Sequence, residues 1–416
     1  MYDHYNFIIK NNNSLIVDED KINIFWKPKK TISKWKPTYK IEPYNSLISL
    51  TIDIETEGLN PELNRTYAIG CLDENNKIQI FIDNDERLVI GEFLNHIKSK
   101  LPHQLIGYNL FAFDLPFIIR RCEILGINHP FKISNKKRTI GNTRVNGQPM
   151  EFYEIFLRGC NIIDCYQLVA RWDYSNNTLT SKSLKNVVYE MGLVEDSLER
   201  VELSHEQIVS CWKAGSRSEG WKTLQSYLED DLTTTKLVAD YLIPNYHYMK
   251  ILAPNINLQN LCLIGNGTYW ERVFEGLYNN RPQPKKDPKL HFKGGLSYSI
   301  PGLFYQVAKL DISGAYAWTI RNYHLTSRKD TEFKALACLE YLNDVRLVAK
   351  AEGRHQFQGS LKTIVASFFG FLGTGGLPYN DMGSAALITA SCFPCINSLI
   401  KLTVYSFSSL QRLRAR

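Results

Sequence analysis

The sequence predicts an α/β protein, in which a mixed sheet followed by helices fills a domain of about 200 residues. Three observations predict it. Ile48, Leu50, Ile52 and Ile54 alternate with Ser49, Thr51, Asp53 and Glu55, the period of two that marks a strand. Strand-like and helix-like segments then succeed one another up to residue 242. The 416 residues are 44% hydrophobic and 22% charged, which excludes a disordered tail or a fibrous repeat. At about 100–200 residues per domain, this length suits two or three domains.

The elements follow in order. Residues 1–45 are polar, rich in Lys and Asn, and lack sustained periodicity. Segments 65–72 and 77–83 read as two strands joined by the turn-forming Asp73-Glu74-Asn75-Asn76. Helical spacing over 86–101 (Leu88, Phe93, Leu94, Ile97, Leu101) predicts a helix. A short strand at 105–108 leads into a helix at 115–125, with Pro116 in its first turn, where proline is tolerated. Strands are expected at 151–157 and 161–164. Helices dominate from 183 to 242, until Pro244 and Pro254 interrupt them. Beyond this point 260–278 reads as one helix, 281–293 as a Pro/Lys-rich linker, and strands flank Gly302. Helices are expected again at 334–353 and 358–371.

Net charge is +7, from 49 basic and 42 acidic residues. Three basic patches stand out: Lys27 to Lys40 among Trp26, Trp35 and Tyr39; Lys132, Lys136, Lys137 and Arg138; and Arg281, Lys285, Lys286, Lys289 and Lys293. Cations interleaved with aromatics suit a groove that neutralises phosphates and stacks bases. Each patch alone reads more simply as a solvated surface loop; the three together suit an anionic polymer partner. No apolar run approaches the roughly 18 residues of a membrane helix, and Met1 to Lys10 lacks a secretory pattern. Nine cysteines, an odd number without framework spacing, predict reduced thiols and a cytoplasmic location.

Three acidic segments carry chemistry. Asp53 and Glu55, two apart on a strand, point from one face; alone they match an ordinary half-exposed strand. Asp114 in Asn109-Leu110-Phe111-Ala112-Phe113-Asp114-Leu115-Pro116 falls at a helix N-cap position. Tyr227 and Asp231 in Tyr227-Leu228-Glu229-Asp230-Asp231 share one helix face at i,i+4. Together these acids suit two hard divalent cations, which take oxygen ligands and, roughly 4 Å apart, activate a water against a phosphodiester. Asp164, at a strand end, reads as structural.

Asp-Ile-Glu-Thr, then Asn-x-x-x-Phe-Asp-x-Pro, then Tyr-x-x-x-Asp, in this order, resembles the three exonuclease motifs of family B DNA polymerases. The resemblance covers most of 46–247 and implies a ribonuclease-H-like fold with 3′→5′ exonuclease activity. It implies Asp53, Glu55, Asp114 and Asp231 as ligands of two Mg²⁺ (or Mn²⁺) ions, and Tyr227 as the residue orienting the attacking water. Asn109 and Phe113 would support the strand end and contact DNA.

A second set of motifs resembles the polymerase domain of the same family. Phe292-Lys293-Gly294-Gly295 is similar to its aromatic-x-Gly-Gly segment, which implies that Gly294 and Gly295 approach template phosphates. Residues 307–317 resemble polymerase motif A, with Asp311 as a metal ligand and Tyr316 under the incoming sugar. Gly314, Ala315 and Ala317 depart from the family pattern. Lys362 to Gly370 resembles the fingers motif, with Ala366 and Phe369 as departures, and Lys362 would contact the triphosphate. Arg346 and Lys350 match the family's phosphate-gripping pair. The third motif, Asp-Thr-Asp, is absent. The one Asp-Thr, Asp330-Thr331, precedes the fingers motif, and residues 382–416 hold no acid.

The expected organisation is a basic, aromatic segment over 1–45, an exonuclease domain over 46–247, and an incomplete polymerase domain over 248–416. The last comprises a truncated α+β palm, short helical fingers at 334–372 and an atypical tail at 391–416, the mark of a frame truncated or shifted near residue 390. The expected function is two-metal hydrolysis at single-stranded DNA 3′ ends or primer-templates, without DNA synthesis by this chain alone. Two alternatives stand beside it: half of a split polymerase completed by a second polypeptide, and a DNA-binding remnant without chemistry.

Overall fold

The structure, a computed structural model, describes residues 8–11, 14–17, 34–38, 40–145, 148–194, 203–215, 218–284, 302–303 and 314–392. Asp311, Gly294, Gly295, the strands expected to flank Gly302, and the tail from 393 lie outside the described residues. The chain divides into two compact units, one of residues 40–250 and 254–264, the other holding the rest. To the latter belongs a short antiparallel hairpin of β1 (Ile8–Asn11) and β2 (Ser14–Val17), which the polar, aperiodic N-terminal sequence does not predict.

The first unit is built on a mixed five-stranded sheet in the order β5-β4-β3-β6-β9. Its strands are β3 (Ser49–Thr56), β4 (Thr66–Asp73), β5 (Ile78–Ile82), β6 (Gln104–Gly107) and β9 (Asn161–Asp164). β3 pairs antiparallel with β4 and parallel with β6, and β6 pairs parallel with β9. Helices α1 (Glu86–Lys100) and α2 (Asp114–Leu125) cover one face, where Leu50, Ile52, Ile54, Phe93 and Ile118 share a core. The other face carries α3 (Cys165–Asn176), α4 (Leu184–Glu190), α5 (His205–Lys213) and the 29-residue α6 (Glu219–His247). There Tyr67, Ala68 and Leu72 pack on Leu224, Leu228 and Leu232, while Ile106 and Ile163 pack on Val238 and Leu242.

Several expectations are corrected. β3 is a central strand buried on both faces, not a half-exposed one. The basic residues Lys132, Lys136, Lys137 and Arg138 lie on a strand, β7 (Lys132–Val145), which forms a two-stranded ribbon with β8 (Gln148–Phe156). Among the described residues, the buried ones of the ribbon, Phe152, Glu154 and Ile155, are on β8, and none of residues 132–139 is buried, so β7 left no periodic signal. Helix α3 was not anticipated. Pro244 does not end a helix; it sits buried inside the last turns of α6, beside the buried Leu242 and Ile243. The single helix expected at 260–278 is two, α7 (Leu258–Leu263) and α8 (Asn266–Tyr278), because Ile264 and Gly265 are extended.

Beyond the β1–β2 hairpin, the described elements of the second unit are helices: α8, α9 (Ala315–Tyr323), α10 (Lys334–Ala351), α11 (His355–Leu372) and a helix over 382–392. Trp270, Phe274, Phe368 and Phe371 form its aromatic centre, with the Trp270 indole N–H donating to Ser367 Oγ at 2.9 Å. Asp330, of the lone Asp-Thr pair, is buried and accepts from the Ala335 and Leu336 amides and from the Thr326 and Tyr278 hydroxyls. It caps α10, a task that Phe333, at the N-cap position with φ 56°, has no side-chain acceptor to perform.

Candidate functional site

Pleat alternation puts Leu50, Ile52 and Ile54 of β3 against α1 and α2, so Asp53 and Glu55 project to the face that α6 covers. The close approach of α6 depends on Gly70, which stands opposite Asp53 in the β3–β4 register. A Cβ at Gly70 would lie 2.7 Å from Leu232 Cδ1 and 2.9 Å from Leu228 Cγ. These leucines flank Tyr227 and Asp231 in the helix, so the missing side chain lets α6 bring both residues beside Asp53.

The third segment arrives by a tight exit from β6. A Cβ at Gly107 would meet Leu110 Cδ1 at 2.8 Å and the Ile52 carbonyl oxygen at 3.2 Å. Asn109 adopts φ +71°, in the left-handed region that asparagine tolerates, and its carbonyl accepts from the Ala112 and Phe113 amides. Asp164 fixes this loop from β9, accepting from the Asn109 amide at 2.9 Å, Phe111 at 3.0 Å and Tyr166 at 3.0 Å. Asp164 is thus structural, and burial pushes its carboxyl up to about 6 despite those amides. Phe113 packs on Phe117. Asp114 is not the N-cap: Phe113 holds that position, and Asp114 is the first residue of α2. Its Oδ2 is buried and without a hydrogen-bond partner among the described residues, so the capping role fails.

The fold brings the four acids close enough for their charges to act on one another. Burial first, then the Asp231 charge, pushes Asp53 up to about 8. Burial, then Asp53 and Asp231, raises Glu55 well above the carboxylate range. Burial, then Asp53, Asp164 and Glu55, does the same to Asp114. The Tyr227 hydroxyl donates to Asp231 and keeps its proton to high pH, through burial and these surrounding acids. Like charges at such range cannot all ionise without a counter-cation.

The donor set, all carboxylate oxygens with the orphaned Asp114 Oδ2 among them, fits hard divalent cations. Among the described residues, however, no group of three or more His, Cys, Asp or Glu stands ready to hold a metal ion. The acids are neighbours, but not yet a closed cage. The sequence reading missed two residues here. Tyr67 on β4 is buried, stacks on Trp212 at 4.6 Å and feels the Glu55 charge. Lys185 on α4 places Nζ 5.0 Å from the centre of the Tyr227 ring. A lysine in a helix's first turn was the available signal for the second; nothing in the sequence marks the first.

In the other unit, Tyr316 on α9 stacks on Phe369 of α11 at 4.3 Å. Arg346, on α10, donates to Asn343 at 3.2 Å, and Lys350 and Lys362 are exposed on α10 and α11. Their partner in motif A, Asp311, lies outside the described residues.

A mixed sheet with helices on both faces, acids on its central strand and a third acid at the β6–α2 junction define a ribonuclease-H-like exonuclease fold. Residues 47–187 match the family model of the DNA polymerase family B exonuclease domain. DNA polymerase 2 of Aeropyrum pernix is 26% identical over 209 residues, covering 49% of this chain and 24% of that protein. The DNA polymerase of Archaeoglobus fulgidus is 25% identical over 251 residues, covering 58% and 29%. The family B DNA polymerase of Pyrobaculum calidifontis superposes with a TM-score of 0.64 at 19% identity, over 86% of this chain and 51% of that one. Residues 47–187 are thus similar to the exonuclease domain of the family B DNA polymerases, and a helical region follows the sheet domain, as in the Pyrobaculum calidifontis structure. Its matched part spans about a quarter of the length of these two curated relatives. Among the described residues no helix is long and apolar enough to cross a membrane.

Proposed function

We propose that the chain is a 3′→5′ exodeoxyribonuclease that removes nucleotides from single-stranded DNA ends. The observation that carries this reading is the mutual electrostatic coupling of Asp53, Glu55, Asp114 and Asp231, which come from three separate segments, with Tyr227 bonded to the last of them. Asp53, Glu55, Asp114 and Asp231 would hold two Mg²⁺ or Mn²⁺ ions. Bound there, such ions supply an activated water and neutralise the departing 3′-oxygen.

The chain's own residues do the rest. Tyr227 keeps its phenolic proton and donates it to Asp231, so its Oη would orient the attacking water as an acceptor, through its lone pairs. Asp164 and Asn109 hold the loop that carries Asp114, and Phe113 anchors the start of α2. Hydrolysis of the terminal phosphodiester releases a nucleoside 5′-monophosphate and leaves a new 3′-hydroxyl. A single strand is preferred because a paired terminus must unpair before it reaches such a pocket.

A second reading has support in the superposition that extends past the exonuclease domain: half of a split polymerase, with Tyr316, Arg346, Lys350 and Lys362 at the nucleotide, Asp311 at the metal and Gly294 and Gly295 at the template. No Asp-Thr-Asp follows the fingers motif in these 416 residues, so primer extension with dNTPs by this polypeptide alone is expected to give no product. The exonuclease reading is tested on 5′-labelled single-stranded DNA in Mg²⁺ or Mn²⁺, comparing the chain with an Asp53→Ala/Glu55→Ala form. Stepwise shortening by the parent alone supports it; equal rates, or no shortening, overturn it.

A further inference from the structure

A DNA strand entering this pocket brings negative charge toward four carboxylates, so a nearby cation would aid its approach. Lys185 is placed to do so. Its Nζ lies 5.0 Å from the centre of the Tyr227 ring, and the Tyr227 hydroxyl is bonded to Asp231. The position is anchored to the site itself. The Tyr108 hydroxyl donates to the Lys182 carbonyl at 2.6 Å, and the Lys182 ammonium pairs with Asp173 at 2.9 Å. Tyr108 immediately precedes Asn109, whose amide Asp164 holds. The segment entering α4 is therefore tied to the same strand end that leads to Asp114. Lys185 is the second residue of α4, in a first turn that contains no acid. A cation there runs against the helix dipole, so helix formation gives no reason for it, and a residue that breaks a local rule at a candidate site calls for a functional one.

We propose that Lys185 is a strand-binding residue: its ammonium, steered over the face of Tyr227, pairs with a non-bridging oxygen of a phosphodiester in the 3′-terminal dinucleotide. This rests on the exonuclease reading of the site. The test compares the full chain with Lys185→Met, which keeps the aliphatic stem, and Lys185→Arg, which keeps the charge. Binding of fluorescein-labelled oligo(dT) is followed by anisotropy in Ca²⁺ across a salt series, and degradation in Mg²⁺ gives KM and kcat.

Loss of one phosphate contact should flatten the slope of log affinity against log salt by about 0.7. Lys185→Met is expected to show that change and to raise KM about tenfold with kcat within about twofold, while Lys185→Arg stays close to the parent. A neutral methylphosphonate at the terminal linkage should weaken the parent more than Lys185→Met, because both forms lose the metal contacts and only the parent also loses the ammonium contact. An unchanged slope and KM in Lys185→Met, or equal damage in Lys185→Arg, overturns the proposal while the parent still shortens DNA. If the parent shortens no DNA, the exonuclease reading fails, and the salt slopes still decide whether Lys185 binds the strand.

Discussion

Replacing Asp53 with asparagine should stabilise the metal-free protein, although it removes a residue of the site. Asp53 is pushed from 3.8 up to about 8 by burial and by Asp231. Because the folded value lies above the unfolded one, the folded chain binds more protons between about pH 4 and pH 8. Stability is therefore highest below that window and falls as pH rises through it. At pH 7, roughly three pH units of this penalty apply, and each is worth about 1.4 kcal/mol, giving a ceiling of about 4 kcal/mol. Side-chain relaxation and water penetration reduce such costs, so about 1–2 kcal/mol is the expected gain for Asp53→Asn. In a domain of this size that raises Tm by roughly 2–8 °C. The assay is thermal unfolding in EDTA at pH 5 and pH 8, repeated with Mn²⁺. The substitution should raise Tm more at pH 8 than at pH 5, and Mn²⁺ should stabilise the parent but not the variant. A variant melting at or below the parent at pH 8 in EDTA would refute the reasoning.

Other substitutions probe the parts that assemble the site. Gly70→Ala puts a methyl 2.7 Å from Leu232; displacing α6 should cost about 1–3 kcal/mol and lower the rate of DNA shortening, read by melting and by the labelled-strand assay. Asp164→Asn removes a carboxylate that accepts three backbone amides; a loss of about 1–3 kcal/mol is expected, with faster hydrogen exchange at 109–111. Tyr227→Phe keeps the ring and removes the hydroxyl, so kcat should fall by about 100-fold, at the lower end of the range for positioned acid–base groups, with KM little changed.

The sheet was legible because its strands must alternate or run apolar to be buried. Ile48 to Ile54 and the turn at Asp73-Glu74-Asn75-Asn76 fix β3, β4 and β5 closely. The β7–β8 ribbon was half legible: apolar Phe152 and Ile155 mark β8, but the cations of β7 have no buried face to pattern them. Pro244 misled because a local rule was overridden by the packing of Leu242 and Ile243 in α6. The acids of the site were legible as motifs. Their setting was not: that β3 is central, that Gly70 admits α6, and that Tyr67 and Lys185 border the pocket are facts of tertiary contact between segments distant along the chain.

The central claim is that Asp53, Glu55, Asp114 and Asp231 close around a pair of divalent ions beside a DNA end. Anomalous scattering from crystals of the chain grown with Mn²⁺ and a short oligo(dT) tests it most directly. The expected result is two manganese peaks roughly 4 Å apart, within coordination distance of these carboxylates and absent in Asp53→Ala/Glu55→Ala. Peaks elsewhere in the molecule, with Asp114 or Asp231 remaining apart from the β3 acids, would contradict it.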